Sequence, residues 1–285
     1  MAYSYLNNIE LEKALDILLN AAIESGAGPQ AEKISVKEAC GRVTSEAVYA
    51  RISSPHYNAS AMDGIAVCAR STFGATNTTP VVLKEGTDYK MVDTGDPLPA
   101  GFHAVVMIED VINLGDGTVK LLKSAVPWQH VRQIGEDICA GDMLLPSNTV
   151  IEPATIGAML AGGIQEVCVW KRPLAGIIPT GDEIVPPGEN PEEGKIMEFN
   201  SSIFSSMLYK WNARSKVYDI VPDDIELIKG ALLKAVSECD LVLINAGSSA
   251  GRDDYTARAI EELGKLLVHG IAIRPGKPTV LGLIK

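Results

Sequence analysis

The sequence lacks the cysteine and histidine spacing that disulfide frameworks and zinc sites need. Its five cysteines are scattered and odd in number, and no two form a CxxC pair. Its four histidines form no HxxxH pair, which leaves zinc-dependent hydrolases without a ligand set. An isolated histidine carries no mechanism by itself. We therefore predict reduced, mostly buried cysteines and structural or surface histidines.

The sequence also has few positive charges and no long apolar run. The chain has 25 Lys and Arg against 36 Asp and Glu, a formal net charge of −11, so a phosphate would be held by a few local donors. No apolar run reaches the roughly 18 residues that span a bilayer, and the start lacks the basic-then-apolar pattern of a signal peptide. We expect a cytoplasmic protein that binds neither nucleic acid nor membranes.

The spacing of hydrophobic residues changes along the chain, and each pattern predicts a different kind of structure. Apolar residues at three- and four-residue spacing predict a helix over about 9–24 that ends at Ser25 and Gly26. Short Val- and Ile-rich runs between turn residues predict a mostly β module over about 34–142. A small-residue helix over 153–163 and a strand over 166–170 follow. We expect this last piece to join the N-terminal helix in one discontinuous domain.

After Pro173, strands alternate with helices. The predicted strands are 174–178, 216–221 and 241–245, and the predicted helices are 201–211, 225–237 and 255–263. This alternation predicts a parallel sheet with right-handed crossovers, in which ligands bind at the carboxyl ends of the strands.

Two loops follow such strands. In the first, Gly181 permits a tight turn, and the carboxylates of Asp182 and Glu183 would suit a magnesium ion, although a solvated acidic turn would have the same sequence. The second, 246–254, offers glycine and serine donors before a helix, which favours phosphate, although Asp253 and Asp254 are also ordinary helix caps. A third segment sets Arg274 and Lys277 around a turn, which suits an oxyanion or is a plain surface turn.

Taken together, these segments resemble the MoeA family of molybdopterin molybdenumtransferases, which includes the gephyrin E domain. The motifs occur in order along the chain: SAMDG at 60–64, TGDPLP at 94–99, GEDI at 135–138, TGDE at 180–183, GKI at 194–196 with Asn200, GSSAG at 247–251 with Asp254, and PGKP at 275–278. Any one motif is weak, but their shared order and spacing are specific.

The resemblance implies a multidomain α/β plus β fold. The family's discontinuous elongated domain would correspond to 1–30 and 142–172, its β-rich domain to 31–141, and its three-layer domain similar to molybdopterin adenylyltransferases (the MogA type) to 173–285. That last domain would have a mostly parallel sheet. The family normally has a further β-rich domain and a downstream PGNP-like loop, and neither is present up to Lys285.

Family enzymes insert molybdate into adenylylated molybdopterin with a divalent cation and release AMP. The resemblance implies catalytic roles for Asp63, Asp137 and Asp254, and magnesium ligands in Glu183, Asp254 and Asp182. The implied substrate-binding residues are Thr180, Gly181, Asp182, Asn200, Gly247, Ser248, Ser249, Arg274, Lys277 and Pro278. Arg274 stands where the family usually has Lys, which preserves charge but changes donor geometry.

The family's counterparts of Asp63 and Asp137 reach the active site of a partner subunit, so the resemblance implies a homodimer. A molybdopterin adenylyltransferase would be an upstream partner. Two alternatives stay open: a catalytically incomplete module that binds pterin nucleotide or serves as a scaffold, and a molybdopterin adenylyltransferase itself. The long region from SAMDG to GEDI argues against the adenylyltransferase, because that enzyme does not need it.

Overall fold

The computed structural model describes residues 8–188, 191–246 and 255–284. Its contacts divide the chain into two compact units, one formed by 32–169 and the other by 1–31 together with 170–285. The helices are α1 (Leu11–Glu24), α2 (Pro153–Ala161), α3 (Asn200–Lys210), α4 (Ile225–Glu238) and α5 (Tyr255–Leu263). The mixed α/β fold with more than one compact unit agrees with the sequence-based prediction.

The strands are short, as the frequent turn residues predict. They are β1 (Ala31–Ser35), β2 (Val48–Tyr49), β3 (Ala59–Ser60), β4 (Gly64–Val67), β5 (Val81–Lys84), β6 (Tyr89–Val92), β7 (Ala104–Met107), β8 (Val111–Asn113), β9 (Thr118–Leu121), β10 (Val131–Arg132), β11 (Met143–Leu145), β12 (Glu166–Trp170), β13 (Leu174–Pro179), β14 (Ile184–Val185), β15 (Ile196–Met197), β16 (Arg214–Val217), β17 (Leu241–Asn245), β18 (Gly264–His269) and β19 (Val280–Ile284).

The contiguous unit is mostly β, as predicted for 34–142, and it contains separate cores. In one core, β4 lies between β6 and β7 in an antiparallel sheet, and Ile65 and Val67 pack against Leu83 and Leu121 from the second sheet, β5-β9-β8. Another core joins residues 36–48 to 145–169 through side chains such as Met159 of α2. The sequence-distant segments on both sides of the β-rich stretch therefore share a core.

Gly64 at the start of β4 is required by close packing. A Cβ atom at this position would overlap the carbonyl oxygen of Val106 on the neighbouring strand β7. Only glycine lets the two backbones approach this closely. This packing fixes the strand that follows Asp63.

The other unit is built on a three-stranded parallel sheet of order β16-β13-β17. Successive side chains of β13 point to opposite faces, and helices cover both. Ile177 packs with Leu208 of α3 on one face, and Ile178 packs with Ile228 of α4 and Ile260 of α5 on the other. The predicted parallel α/β arrangement is confirmed, and it places the carboxyl ends of β13 and β17 side by side.

Helix α1 packs in the same unit, against the antiparallel hairpin of β18 and β19. Ala14 is fully buried with Val268 and Ile271, and the backbone of Ile9 bonds with Gly270 and Ala272 at 3.2 and 2.8 Å. The division into 1–30 with 142–172, 31–141 and 173–285 stays a prediction.

Two local predictions are wrong. The strand predicted over 216–221 spans Arg214–Val217. The chain leaves the sheet after Tyr218, whose N–H donates to Ile177 at 2.9 Å, and it returns as a single bridge between Val221 and Thr180. The cysteines are free, as predicted, but they are not mostly buried: Cys40 and Cys139 are exposed and the other three are half-buried. Both exposed cysteines lie outside helices and strands.

Among the residues that the structure describes, no helix is both long enough and apolar enough to cross a membrane.

Candidate functional site

The loop that follows β13 meets the end of β17. Thr180 is buried, its N–H donates to the carbonyl of Asn245 at 2.9 Å, and its hydroxyl donates to the same oxygen at 3.2 Å. Gly181 has a φ of +138°, which an L side chain rarely adopts, and its N–H donates to Val221 at 3.1 Å. The sequence places glycine where the chain must turn sharply off the sheet.

A cavity of about 230 Å³ opens at this edge of the sheet. It combines five apolar side chains with polar ones from the ends of two parallel strands and from the start of α3. The lining residues are Thr180, Glu183, Ile184, Ile196, Met197, Glu198, Phe199, Asn200, Asn245 and Ala246. Three predicted site residues, Thr180, Glu183 and Asn200, therefore come together.

Acidic groups gather beside the cavity. The Asp182 carboxylate accepts from the Asp223 N–H at 3.2 Å. Withdrawal from solvent raises the pKa of Asp223, and the negative charges of Asp182 and Glu183 raise it further. In the described part of the chain, no three His, Cys, Asp or Glu side chains cluster closely enough to hold a metal ion. The predicted ligand Asp254 lies outside the described residues.

The start of α3 forms another wall of the cavity. Glu198 is only 8% exposed, and its Oε1 accepts from the Ser201 N–H at 2.8 Å. This bond satisfies one of the free N–H groups at the helix N-terminus, where a negative charge is also favoured. Asn200, the first residue of α3, is half-buried and lines the same cavity.

Asp63 lies in the contiguous unit, and a threonine holds it there. The N–H and the hydroxyl of Thr94 donate to Asp63 Oδ1 at 2.7 and 2.8 Å. These two bonds, the backbone bond first, lower the pKa of Asp63 below its ordinary value. The carboxylate is solvent-accessible and stays ionised at neutral pH.

Asp137 has an arginine partner in the same unit. Arg132 donates through its guanidinium to Asp137 Oδ2 at 2.6 Å, and this pairing raises the pKa of Arg132. β10, which contains Arg132, pairs antiparallel with β3. Ser60 of β3 accepts from the Gly95 N–H at 2.8 Å, so the SAMDG, TGD and VR segments converge on one short strand.

The remaining predicted substrate residues fall into two groups. Arg274, Lys277 and Pro278 are exposed on the turn between β18 and β19, and they do not line the cavity. Gly247, Ser248 and Ser249 lie outside the described residues, as Asp254 does.

Sequence reasoning missed three groups at the sheet edge. Asn245 was assigned only to a strand, although its position as the last residue of β17 was a usable signal. Glu198 and Asp223 fall in segments whose fold brings them back to the loop after β13. No sequence motif or residue spacing indicates that Glu198 and Asp223 lie near this loop.

The geometry is that of an α/β protein with a cavity at the carboxyl edge of a parallel sheet, which is where small-molecule sites of this class of protein usually lie. Two family models match the chain: the MoeA N-terminal region (domain I and II) over residues 9–163, and a probable molybdopterin binding domain over residues 176–284. The second model covers every residue that lines the cavity.

Individual relatives are similar to this chain over most of its length. A molybdopterin biosynthesis protein of Methanocaldococcus jannaschii is 37% identical over 268 residues, covering 89% of this chain and 67% of the relative. A molybdopterin molybdenumtransferase of Haemophilus influenzae is 31% identical over 267 residues, covering 90% and 66%. The crystal structure of a molybdopterin biosynthesis MoeA protein from Pyrococcus horikoshii superimposes with a TM-score of 0.85 at 32% identity, covering 98% and 73%.

The chain belongs to the MoeA family, whose curated members include molybdopterin molybdenumtransferases. It spans about two thirds of the length of the curated relatives it matches.

Proposed function

We propose that this chain acts in molybdenum cofactor biosynthesis by inserting molybdate into adenylylated molybdopterin with release of AMP. The observation that carries the proposal is the cavity at the ends of β13 and β17, since it falls within the match to a probable molybdopterin binding domain. The curated relatives named molybdopterin molybdenumtransferases supply the reaction type. A further part of the proposal is that 173–285 forms a MogA-like domain.

Magnesium fits the acidic side of this site. Carboxylate oxygens are the ligands that Mg²⁺ prefers, and the ion would neutralise charge at the phosphoanhydride. Glu183 and Asp182, with Asp254, would hold it. Burial is the main reason that the pKa of Asp223 is raised, and the nearby negative charges of Asp182 and Glu183, which a cation would relieve, raise it further. Thr180, Gly181, Gly247, Ser248 and Ser249 would then bind the pyrophosphate and pterin.

The cationic turn between β18 and β19 would attract the molybdate dianion. Arg274 and Lys277 are both exposed there, next to Pro278, and neither makes an ion pair within the described residues. Bidentate donors of the Arg type suit a tetrahedral oxyanion. The assignment of these residues rests on the family motif.

A homodimer completes the proposal, because Asp63 and Asp137 lie in the other compact unit and would act on the partner's site. Helix α1 supports association with a second copy. It exposes a stripe of large apolar side chains at four-residue spacing, with Leu15 at 47%, Leu19 at 58% and Ile23 at 71%. The division into 1–30 with 142–172, 31–141 and 173–285, a molybdopterin adenylyltransferase as upstream partner and a cytoplasmic location belong to the same proposal.

The test is AMP release from adenylylated molybdopterin by this 285-residue chain, with Mg²⁺ and with or without molybdate. Molybdate-dependent release is expected, and Glu183→Gln should abolish most of it, because the metal site loses a charge. Glu193→Gln, an exposed change outside the cavity, is the matched control and should leave the rate unchanged. Binding without any release would instead favour a catalytically incomplete module that binds pterin nucleotide.

A further inference from the structure

The Glu198 side of the cavity has the wrong charge for a phosphate. Among its described lining residues, two are carboxylates, Glu183 and Glu198, and none is Lys or Arg. Lys195 lies in the same segment, but its ammonium donates to the Asp182 carbonyl at 2.9 Å and does not line the cavity. Glu183 is assigned to the magnesium ion, which leaves Glu198 as the carboxylate that faces the rest of the substrate. Beside Glu198, a neutral group that carries hydrogen-bond donors fits the described walls better than an oxyanion does.

The size and walls of the cavity indicate a flat ring. At about 230 Å³ it is smaller than the roughly 300–1,000 Å³ that encloses a whole drug-sized ligand. It therefore holds one part of a larger substrate. Phe199, which is 56% exposed, and Ile196 offer apolar surface against which a heterocycle can pack.

Glu198 supplies the recognition element. The residue is more than nine-tenths buried, its Oε1 is occupied by the Ser201 N–H, and its Oε2 makes no hydrogen bond within the described part of the chain. A carboxylate only accepts hydrogen bonds. A ring edge with two adjacent donors would supply hydrogen bonds to the Glu198 carboxylate. An edge with an acceptor beside its donor would instead place a carboxylate oxygen against the lone pair of a ring nitrogen.

We propose that this cavity holds the pterin half of the substrate and that Glu198 selects it by accepting from its aminopyrimidinone edge. That edge has a ring N–H beside an exocyclic amino group, two donors side by side. Adenine, at the other end of the proposed substrate, has a ring acceptor next to its amino group. The assignment rests on the proposed function, and it makes Glu198 a specificity-determining residue.

The test measures binding of 6-hydroxymethylpterin and of AMP separately by the full 285-residue chain, using pterin fluorescence and calorimetry. Glu198→Gln should weaken pterin binding by about tenfold to a hundredfold and leave AMP binding unchanged. Glutamine can still accept from the Ser201 N–H, so helix α3 keeps that contact. Glu193→Gln is the matched control and should change neither affinity.

A comparison of two ligands tests the same proposal on the unmodified chain, so the result does not depend on whether a variant folds. The lumazine analogue, with an oxo group in place of the 2-amino group, should bind the unmodified chain at least about tenfold more weakly than the pterin. Equal binding of the two compounds, no pterin binding, or a Glu198→Gln defect confined to AMP would each overturn the proposal. Because binding is measured without turnover, failure of molybdate insertion is distinguishable from failure of this assignment.

Discussion

At the residue scale, the clearest electrostatic feature is the pair of bonds from Thr94 to Asp63. Because they lower the folded-state pKa of Asp63, their contribution to stability is present above the ordinary carboxyl pKa and is lost as pH falls through the lowered value. Thr94→Val removes the hydroxyl and keeps the backbone N–H. The Asp63 pKa should therefore rise but stay below its ordinary value, as measured by a carboxyl-carbon NMR titration.

A second threonine gives the matched control for that titration. Thr118 lowers the pKa of Asp116 through its side chain first and its backbone second. Thr118→Val should raise the pKa of Asp116 and leave Asp63 where it is. An Asp63 titration that does not move in Thr94→Val would show that the hydroxyl contributes nothing to the ionised state.

At the element scale, alanine substitutions at two glycines should change the free energy of unfolding in opposite directions. Gly64→Ala should destabilise the contiguous unit by about 3 kcal/mol or more, because the new Cβ meets the backbone of β7, which cannot relax as a side chain would. Gly157→Ala lies within α2 with open space around the new atom, and it should stabilise by about 0.5–1 kcal/mol. Urea unfolding of both variants tests the pair, and equal effects would contradict the packing account.

Helix α4 has a side-chain cap that can be removed without touching the core. Asp224 accepts from the N–H groups of Glu226 and Leu227 at 2.9 and 3.0 Å. Asp224→Ala should cost about 1 kcal/mol of unfolding free energy, since two donors lose their partner. Asp219→Ala, an exposed change on the preceding segment, is expected to be neutral. A similar loss in both variants would point to net charge rather than capping.

Elements were more predictable than the site because their signals are local. The periodicity of α1 and the apolar runs of β12, β13 and β17 correctly gave helix and strand positions. Strand β16 was displaced because its pairing with β13 is decided by partners distant in sequence. For the same reason, TGDE could be recognised as a site loop, whereas Glu198 could not. Burial of that carboxylate beside the cavity is a property of the folded chain alone.

At the scale of the whole molecule, the shared-site proposal makes oligomeric state decisive. Sedimentation of the purified 285-residue chain should show a dimer, because Asp63 and Asp137 would serve the site of a second copy. Leu19→Glu on the exposed face of α1 should weaken the dimer, whereas Glu12→Gln on the same helix should not. A strict monomer in the unmodified chain would remove both aspartates from the proposed active site.

The pairing of α1 with the hairpin of β18 and β19 has a consequence for synthesis on the ribosome. About 260 residues separate the end of α1 from the end of β19. At a synthesis rate of roughly 5–20 residues per second, the hairpin that α1 packs against is complete only roughly ten seconds to a minute after the helix has been made. The unit of 32–169 is contiguous and has no such delay. Nascent chains stalled near residue 230 should resist protease across that segment while the N-terminal helix is cut, its apolar stripe open to chaperones throughout the wait.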